Sequence, residues 1–250
     1  MRDVSVFGCG WVGKALIPAL ETDFNVNCLV RSNTSYISLS IKNRFLYTTS
    51  ECPPNKFCHA DVMIIAIPPK EDYLNTLKRL CYCILPSTHL ILLSSTSVYG
   101  QIDGTVDETD TDKITSPSLM LQAEYLVRSL REDALILRLG GLMGYERIAG
   151  KYTQGRTKTH DTFVNYIHRD DVVNVITCCI QKELRGDIFN VVAPKHPKQS
   201  EIYRQNAKRF GFDKTYYKSQ DITGKKVLST KLINSLGYDF LRPDPLKFWT

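Results

Sequence analysis

The chain has 250 residues, 43% of them hydrophobic and 23% charged, with a formal net charge of +6. Such a length and apolar content support the core of an ordinary globular α/β protein. No apolar run approaches the roughly 20 residues that span a bilayer, and the start of the chain has no signal-peptide layout, so a cytoplasmic protein without a membrane partner is expected. The positive charge is spread along the chain and is not interleaved with aromatics as a nucleic-acid groove requires, so phosphate pockets suit it better than nucleic acid. The eight cysteines lie mostly inside apolar segments and read as buried, reduced thiols, and no pair has zinc-site spacing, so no metal is expected.

In chain order, strand-like runs alternate with helix-periodic ones: "DVSVFG", "WVGKALIPALE", "NVNCLVRS", "FLYTTS", "ADVMIIAIPP", "KEDYLNTLKRLCYCIL", "HLILLSS", "SLMLQAEYLVRSLRE" and "ALILRLGGLMG". Doubly apolar strands joined by helices predict an α/β, doubly wound parallel sheet, a Rossmann fold, over residues 1–145. From 146 to 250 the pattern is less regular, with a basic stretch, the helix-like "DDVVNVITCCIQKE", the strand-like "GDIFNVVAP" and a helix-like run before a Pro-rich end. This part reads as a small C-terminal lobe covering a substrate, interleaved with the first domain rather than independent of it.

The first strand runs into "GCGWVG", which sets Gly8, Gly10 and Gly13 in a G-x-G-x-x-G arrangement at the opening of a helix. Gly8 would permit a tight turn, Gly10 the approach of backbone to a pyrophosphate, and Gly13 close helix packing, with Cys9, Trp11 and Val12 completing the turn. Dinucleotide cofactors that lack a 2′-phosphate usually meet an acid at the end of the second strand. Here that end reads "CLVRSN", placing Arg31 where the acid would stand and Ser32 beside it. A guanidinium fork suits a 2′-phosphate, so NADP is favoured over NAD, although Arg31 stacked on adenine would leave both usable. Ala66, Ile67 and Pro68 of "IAIPP" end a strand and are expected to line the same crevice.

The Gly motif, "LLSSTSVYG", "ILRLGGLMGYER", "FVNYIHRDDVVNVI" and "DIFNVVAP" together resemble the extended short-chain dehydrogenase/reductase family, the NAD-dependent epimerase/dehydratase group, through about residue 195. The Arg after the second strand and the ending "KKVLSTKLINSLGYDFLRPD" look like an atypical subgroup. The resemblance implies a sugar-like or carbonyl substrate, phosphorylated or nucleotide-linked, and a reaction of the epimerase, dehydratase or reductase type. It also implies a hydroxyl at the end of the strand before "VYG", matched by Ser95 with Thr96 beside it, and a Tyr-x-x-x-Lys on the next helix. Aligning the family's following Glu on Glu124 puts Ser116 at the tyrosine and Met120 at the lysine, so that pair is missing.

A methionine cannot lower a phenol's pKa, and a serine cannot replace the phenol without a base. Tyr99 is the candidate for a relocated acid, while Tyr125 and Lys113 are weaker ones. The position matched by His168 lies near the entrance of the second lobe, where a structural role is favoured over substrate contact. Arg147 lies in the stretch that often lines the substrate side, where it could meet a phosphate or belong to a solvated basic loop. Asp171 is expected to cap or charge-pair the helix after His168. A non-enzymatic dinucleotide-binding sensor or interaction module is the alternative to the enzyme. By the same analogy, a homodimer would form through "DYLNTLKRLCYCI" and "SLMLQAEYLVRSL".

Overall fold

A computed structural model describes residues 1–30, 43–46, 53–70, 72–219 and 221–249, with the backbone alone for 43–46. Its strands are β1 (Arg2–Phe7), β2 (Phe24–Val30), β3 (Asn43–Leu46), β4 (Val62–Ile65), β5 (His89–Ser95), β6 (Gly104–Val106), β7 (Leu135–Leu139), β8 (Gly141–Met143), β9 (Thr157–Lys158), β10 (Asp161–Thr162), β11 (Tyr166–His168), β12 (Ile188–Val191), β13 (Tyr216–Tyr217), β14 (Ile222–Thr223) and β15 (Lys225–Val227). The helices are α1 (Trp11–Leu20), α2 (Asn55–Cys58), α3 (Tyr73–Cys83), α4 (Leu119–Leu130), α5 (Arg169–Gln181), α6 (Gln199–Phe210) and α7 (Thr230–Leu236). No helix of the described residues is long and apolar enough to cross a membrane.

The seven-stranded sheet has the order β12-β7-β5-β4-β1-β2-β3, and β1 through β5 pair in parallel. Residues of β4 and the first six of β5 are buried, as strands covered on both faces must be. Even the polar Ser5 in β1 is fully buried, and its hydroxyl donates to the Phe57 carbonyl at 2.7 Å. Helix α1 turns Val12, Leu16, Ile17 and Leu20 inward, a spacing that forms one apolar stripe. The strand order reverses between β1 and β4, each pairing with the other while β2 and β5 continue outward on opposite sides. In such sheets that reversal opens a crevice at the carboxyl ends of the strands.

The chain divides into two compact units, each assembled from three segments: 1–94, 116–137 and 173–188 in one, and 95–115, 138–172 and 189–250 in the other. The division differs from the expected boundary at 145, because the turn after β5 and the end of β7 cluster with the second unit, whereas α4 and most of α5 cluster with the first. Hydrophobic periodicity locates elements but carries no record of which non-adjacent elements share a core.

The second unit is built of short parallel pairs, β11 with β8, β15 with β6, β13 with β9 and β10 with β14. Ala149, Val164, Tyr166, Ala193, Ile202, Tyr203 and Phe248 form one of its buried clusters. Asp171, in the first turn of α5, is fully buried and accepts from the Tyr238 hydroxyl at 2.8 Å and the backbone N–H groups of Leu241 and Arg242 at 2.7 and 3.0 Å. It therefore ties the C-terminal segment to α5 as well as standing at the helix start.

The structure differs from the expectation of separate thiols at one pair, because the sulfurs of Cys9 and Cys28 meet. The register explains the meeting: Cys28 lies opposite Val6, and the loop leaving β1 folds back over that position. The two Cα atoms are 6.3 Å apart, within bridging range. Among the described residues Cys58, Cys81, Cys83, Cys178 and Cys179 stand in no disulfide, and the Cys58 sulfur has that of Cys83 2.6 Å away.

Candidate functional site

The turn between β1 and α1 shows why each glycine of the motif is there. Gly8 has φ of +107°, which disfavours a side chain, and a Cβ on it would come within 2.7 Å of the Ala66 carbonyl oxygen. A Cβ on Gly13 would strike the Gly8 carbonyl oxygen and press on Val6, so α1 can lie this close to the turn only with glycine there. Gly10 differs, since a Cβ there would meet nothing within 4 Å. Among the described residues no contact requires glycine at position 10, and the open space over it suits the close approach of a phosphate. The helix beginning at Trp11 has no acid in its first turn and no side-chain cap, and a helix start of that kind favours an anion.

A pocket of about 490 Å³ opens here, lined by Phe7, Gly8, Cys9 and Gly10 after β1, Leu29 and Val30 at the end of β2, and Ala66, Ile67, Pro68 and Lys70 after β4. These are the carboxyl ends of the three strands that meet at the sheet's reversal. Of the cofactor residues expected from sequence, Gly8, Cys9, Gly10, Ala66, Ile67 and Pro68 come together in this lining. Val12 and Gly13 are buried in helix packing behind it, and Trp11 is half-buried at the helix start. Arg31 and Ser32 lie outside the described residues. Phe7, Leu29, Val30 and Lys70 are additions that the motif did not name. A dinucleotide fits this chemistry: apolar walls for a ring, open space over Gly10, a helix N-terminus, and among the described lining residues no acid.

The hydroxyl run at the end of β5 sorts by burial. Ser94 is buried and donates to Glu124, itself buried on α4, at 2.5 Å. Ser95 is partly exposed, and its Oγ accepts the Ser97 N–H at 3.1 Å, capping the 3-10 turn Thr96–Tyr99. The Ser95 hydroxyl proton remains available to donate. Thr96 is buried.

Tyr99 has a part different from the acid expected of it. It is fully buried, its hydroxyl donates to Asn190 Oδ1 at 2.7 Å, and it accepts from the Arg138 guanidinium at 3.0 Å. Burial pushes the phenol up to about 12, in spite of the neighbouring arginine. Arg138, buried in turn, also donates to the Glu108 carbonyl and the Thr111 hydroxyl at 3.1 Å each. A phenol held this way serves as a structural junction. Lys113 is exposed and paired with Asp110 at 2.6 Å, Ser116 is exposed ahead of α4, and Met120 is buried within α4.

His168 ends β11 and is buried against Phe248 and Tyr145, with ring centroids 5.4 and 5.5 Å away. The Asp170 N–H donates to its Nδ1 at 3.3 Å, which leaves the proton of the neutral ring on Nε2, beneath Gly144. Burial holds its pKa below the ordinary histidine value although Asp170 pulls the other way. Tyr145, with φ of +53°, stacks under the Arg169 guanidinium at 4.1 Å and donates to Asp170. Arg147 is half-buried and bridges back to Gly144 through the backbone.

No family model matches the chain. It is similar to Protein YeeZ of Escherichia coli (strain K12), with 28% identity over a 271-residue alignment that covers 98% of each protein. Among solved structures it is similar to a functionally unknown conserved protein from Silicibacter pomeroyi DSS (TM-score 0.79, 16% identity, 99% and 96% of the two chains). A Methylobacillus flagellatus protein assigned as an NAD-dependent epimerase/dehydratase also matches (TM-score 0.79, 21% identity, 99% and 96%). So does UDP-glucuronic acid 4-epimerase from Bacillus cereus in complex with NAD (TM-score 0.76, 17% identity, 98% and 96%). The chain therefore has the Rossmann-like fold of epimerase/dehydratase proteins, as its motifs implied.

Proposed function

We propose that this protein binds a nicotinamide dinucleotide in the Gly8–Lys70 pocket, prefers NADP(H), and acts on a carbonyl or hydroxyl group of a sugar-like, nucleotide-linked molecule. The observation that carries the reading is the open space over Gly10 at the sheet's reversal, where an anion would meet the start of α1. Structures of the same fold hold NAD together with UDP-glucose or UDP-glucuronic acid, which supports both the cofactor class and the substrate class. When bound, the dinucleotide supplies or accepts a hydride. This chain's residues contribute apolar walls from Leu29, Val30 and Ile67, phosphate-facing backbone at Gly8 to Gly10, and the Arg31 guanidinium for a 2′-phosphate. Ser95 would donate its hydroxyl proton to the substrate oxygen and so orient it, with Thr96 beside it, and His168 and Arg147 would belong to the substrate side.

Titration of nicotinamide fluorescence tests the reading. NADPH is expected to bind more tightly than NADH, Arg31→Ala to remove that preference, and Gly10→Ala to weaken both by tenfold or more with the melting temperature unchanged. Binding of neither nucleotide by the wild type would sink it.

A second reading, a dinucleotide-dependent sensor without turnover, is favoured by two observations: Ser116 and Met120 stand where the proton relay would be, and the Tyr99 phenol is committed to Arg138 and Asn190. Hydride exchange that Ser95→Ala abolishes would exclude it. Exposed Tyr82, Leu119 and Tyr125 on α3 and α4, helices that pack on each other, support a homodimer through that surface. Sedimentation of wild type and Tyr125→Glu would test the dimer, which the charge should dissociate.

A further inference from the structure

We infer that the β9–β13 surface of the second unit binds single-stranded nucleic acid, independently of any dinucleotide, with Tyr216 as the stacking platform and Lys214 and Lys218 as phosphate contacts. In sequence the positive charge is dispersed, but the fold gathers it. Residues 151–160 and 208–218 carry seven lysines and arginines against one acid, Asp213, a surplus equal to the net charge of the whole chain. The parallel pairing of β9 with β13 sets these distant segments side by side. Backbone hydrogen bonds extend the pairing past both strands, from the Gly155 N–H to the Lys214 carbonyl at 3.2 Å and from the Ser219 N–H to the Thr159 carbonyl at 3.0 Å.

Lys151, Arg156, Lys208, Arg209, Lys214 and Lys218 are all exposed, and no ion pair among the described residues involves any of them. Gln220, which lies outside the described residues, carries no charge. Like charges gathered in this way repel one another, and an arriving polyanion relieves that repulsion while releasing its own counterions.

The alternation along β13 sets the order of the groups. Thr215 is buried and Tyr217 half-buried, whereas Lys214, Tyr216 and Lys218 stand exposed at every second residue, about 6.6 Å apart. The Thr215 hydroxyl donates to the Thr153 carbonyl at 3.0 Å and so fixes the inner side. Tyr216 is 49% exposed, with the Lys214 ammonium 5.1 Å from its ring centroid. A ring flanked by two cations on an extended backbone is built to stack a base and hold the phosphates on either side of it. Tyr152, 66% exposed and next to Thr153, offers a second ring. A base must leave a duplex to lie on such a ring, which favours single strands. A lipid surface calls for aliphatic side chains beside the charge, and residues 151–160 and 208–218 contain no Leu, Ile, Val or Met.

The test is fluorescence anisotropy of labelled oligo(U) and oligo(dT) with wild type, Tyr216→Ala, Tyr216→Trp, Lys214→Ala/Lys218→Ala and Lys78→Ala/Arg128→Ala. The last pair removes two exposed charges from the first unit as a control. Wild type is expected to bind both oligonucleotides, and a duplex of equal length about tenfold more weakly. Tyr216→Ala should weaken binding about tenfold and Tyr216→Trp should restore it, with melting temperatures unchanged. The double lysine variant should flatten the slope of log affinity against log salt by about 1.4, at roughly 0.7 per phosphate contact on a single strand, and the control pair should leave the slope as it is. Should Tyr216→Ala fold poorly, the double lysine variant and Tyr216→Trp still decide. Equal loss in the control pair, or tight binding that survives Tyr216→Ala, would overturn the site in favour of diffuse charge attraction. Wild type that binds no oligonucleotide, or that prefers phosphatidylserine vesicles to them, would overturn it outright.

Discussion

Tyr99 shows how one side chain can look catalytic in sequence and turn out to be architectural. Its neighbours Ser95 and Gly100 mark the end of a central strand, a place where a phenol near a crevice invites an acid/base role. The structure withdraws that phenol from solvent and fixes it between Arg138 and Asn190. Tyr99→Phe should therefore destabilise the protein by about 1–3 kcal/mol, because buried Asn190 Oδ1 loses its donor and the guanidinium loses an acceptor. Urea unfolding would show a lower midpoint with an unchanged m-value. Loss of turnover at unchanged stability would instead restore the acid role.

At the level of elements, the first βαβ unit was legible in the sequence because its rules are local. Alternation, the glycine spacing and the residue types at the strand ends together specify β1, α1, β2 and the crevice between β1 and β4. Lys70 escaped because nothing in its sequence neighbourhood distinguishes a pocket-edge lysine from a solvated one; only the fold shows it in the pocket lining beside Pro68. The long-range contacts of Asp171 escaped for a similar reason. An acid in the first turn of a helix reads as a favourable partner for the helix dipole, whereas its three acceptor contacts reach residues some 70 positions later. Asp171→Ala should free the Tyr238–Arg242 segment and cost roughly 2–4 kcal/mol, since the carboxylate acceptor is removed and its three donors are left without it inside the protein. Hydrogen exchange would report it as faster exchange at Leu241 and Arg242, and protection equal to wild type there would refute the role.

For the molecule as a whole, two buried histidines and a half-buried one set a pH dependence. Burial holds His89, His168 and His196 below the ordinary histidine value. The unfolded chain then binds protons first, near pH 6.5, while the folded chain resists. Stability is full above about pH 6.5 and is lost as the pH falls toward the folded values, by up to about 1.4 kcal/mol per pH unit for each histidine. Glu108, whose carboxyl burial raises, works in the opposite direction closer to its ordinary value of 4.5. Urea midpoints at pH 7.5 and pH 5.5 should therefore drop on acidification, and equal midpoints would contradict the histidine account.

The three-segment construction of each unit has a consequence for biosynthesis. The first unit takes its last segment from residues 173–188, although its opening segment ends at 94. At translation speeds of about 5–20 residues per second, the ribosome needs roughly 10–40 s to deliver everything that unit requires. During that interval β1, β2 and β4 have emerged without β7 or β12, so apolar strands wait with their edges bare. A nascent chain of this design depends on chaperones for longer than one whose domains follow each other in sequence, and a stop codon even a few residues before 188 would strand the whole Rossmann sheet unfinished.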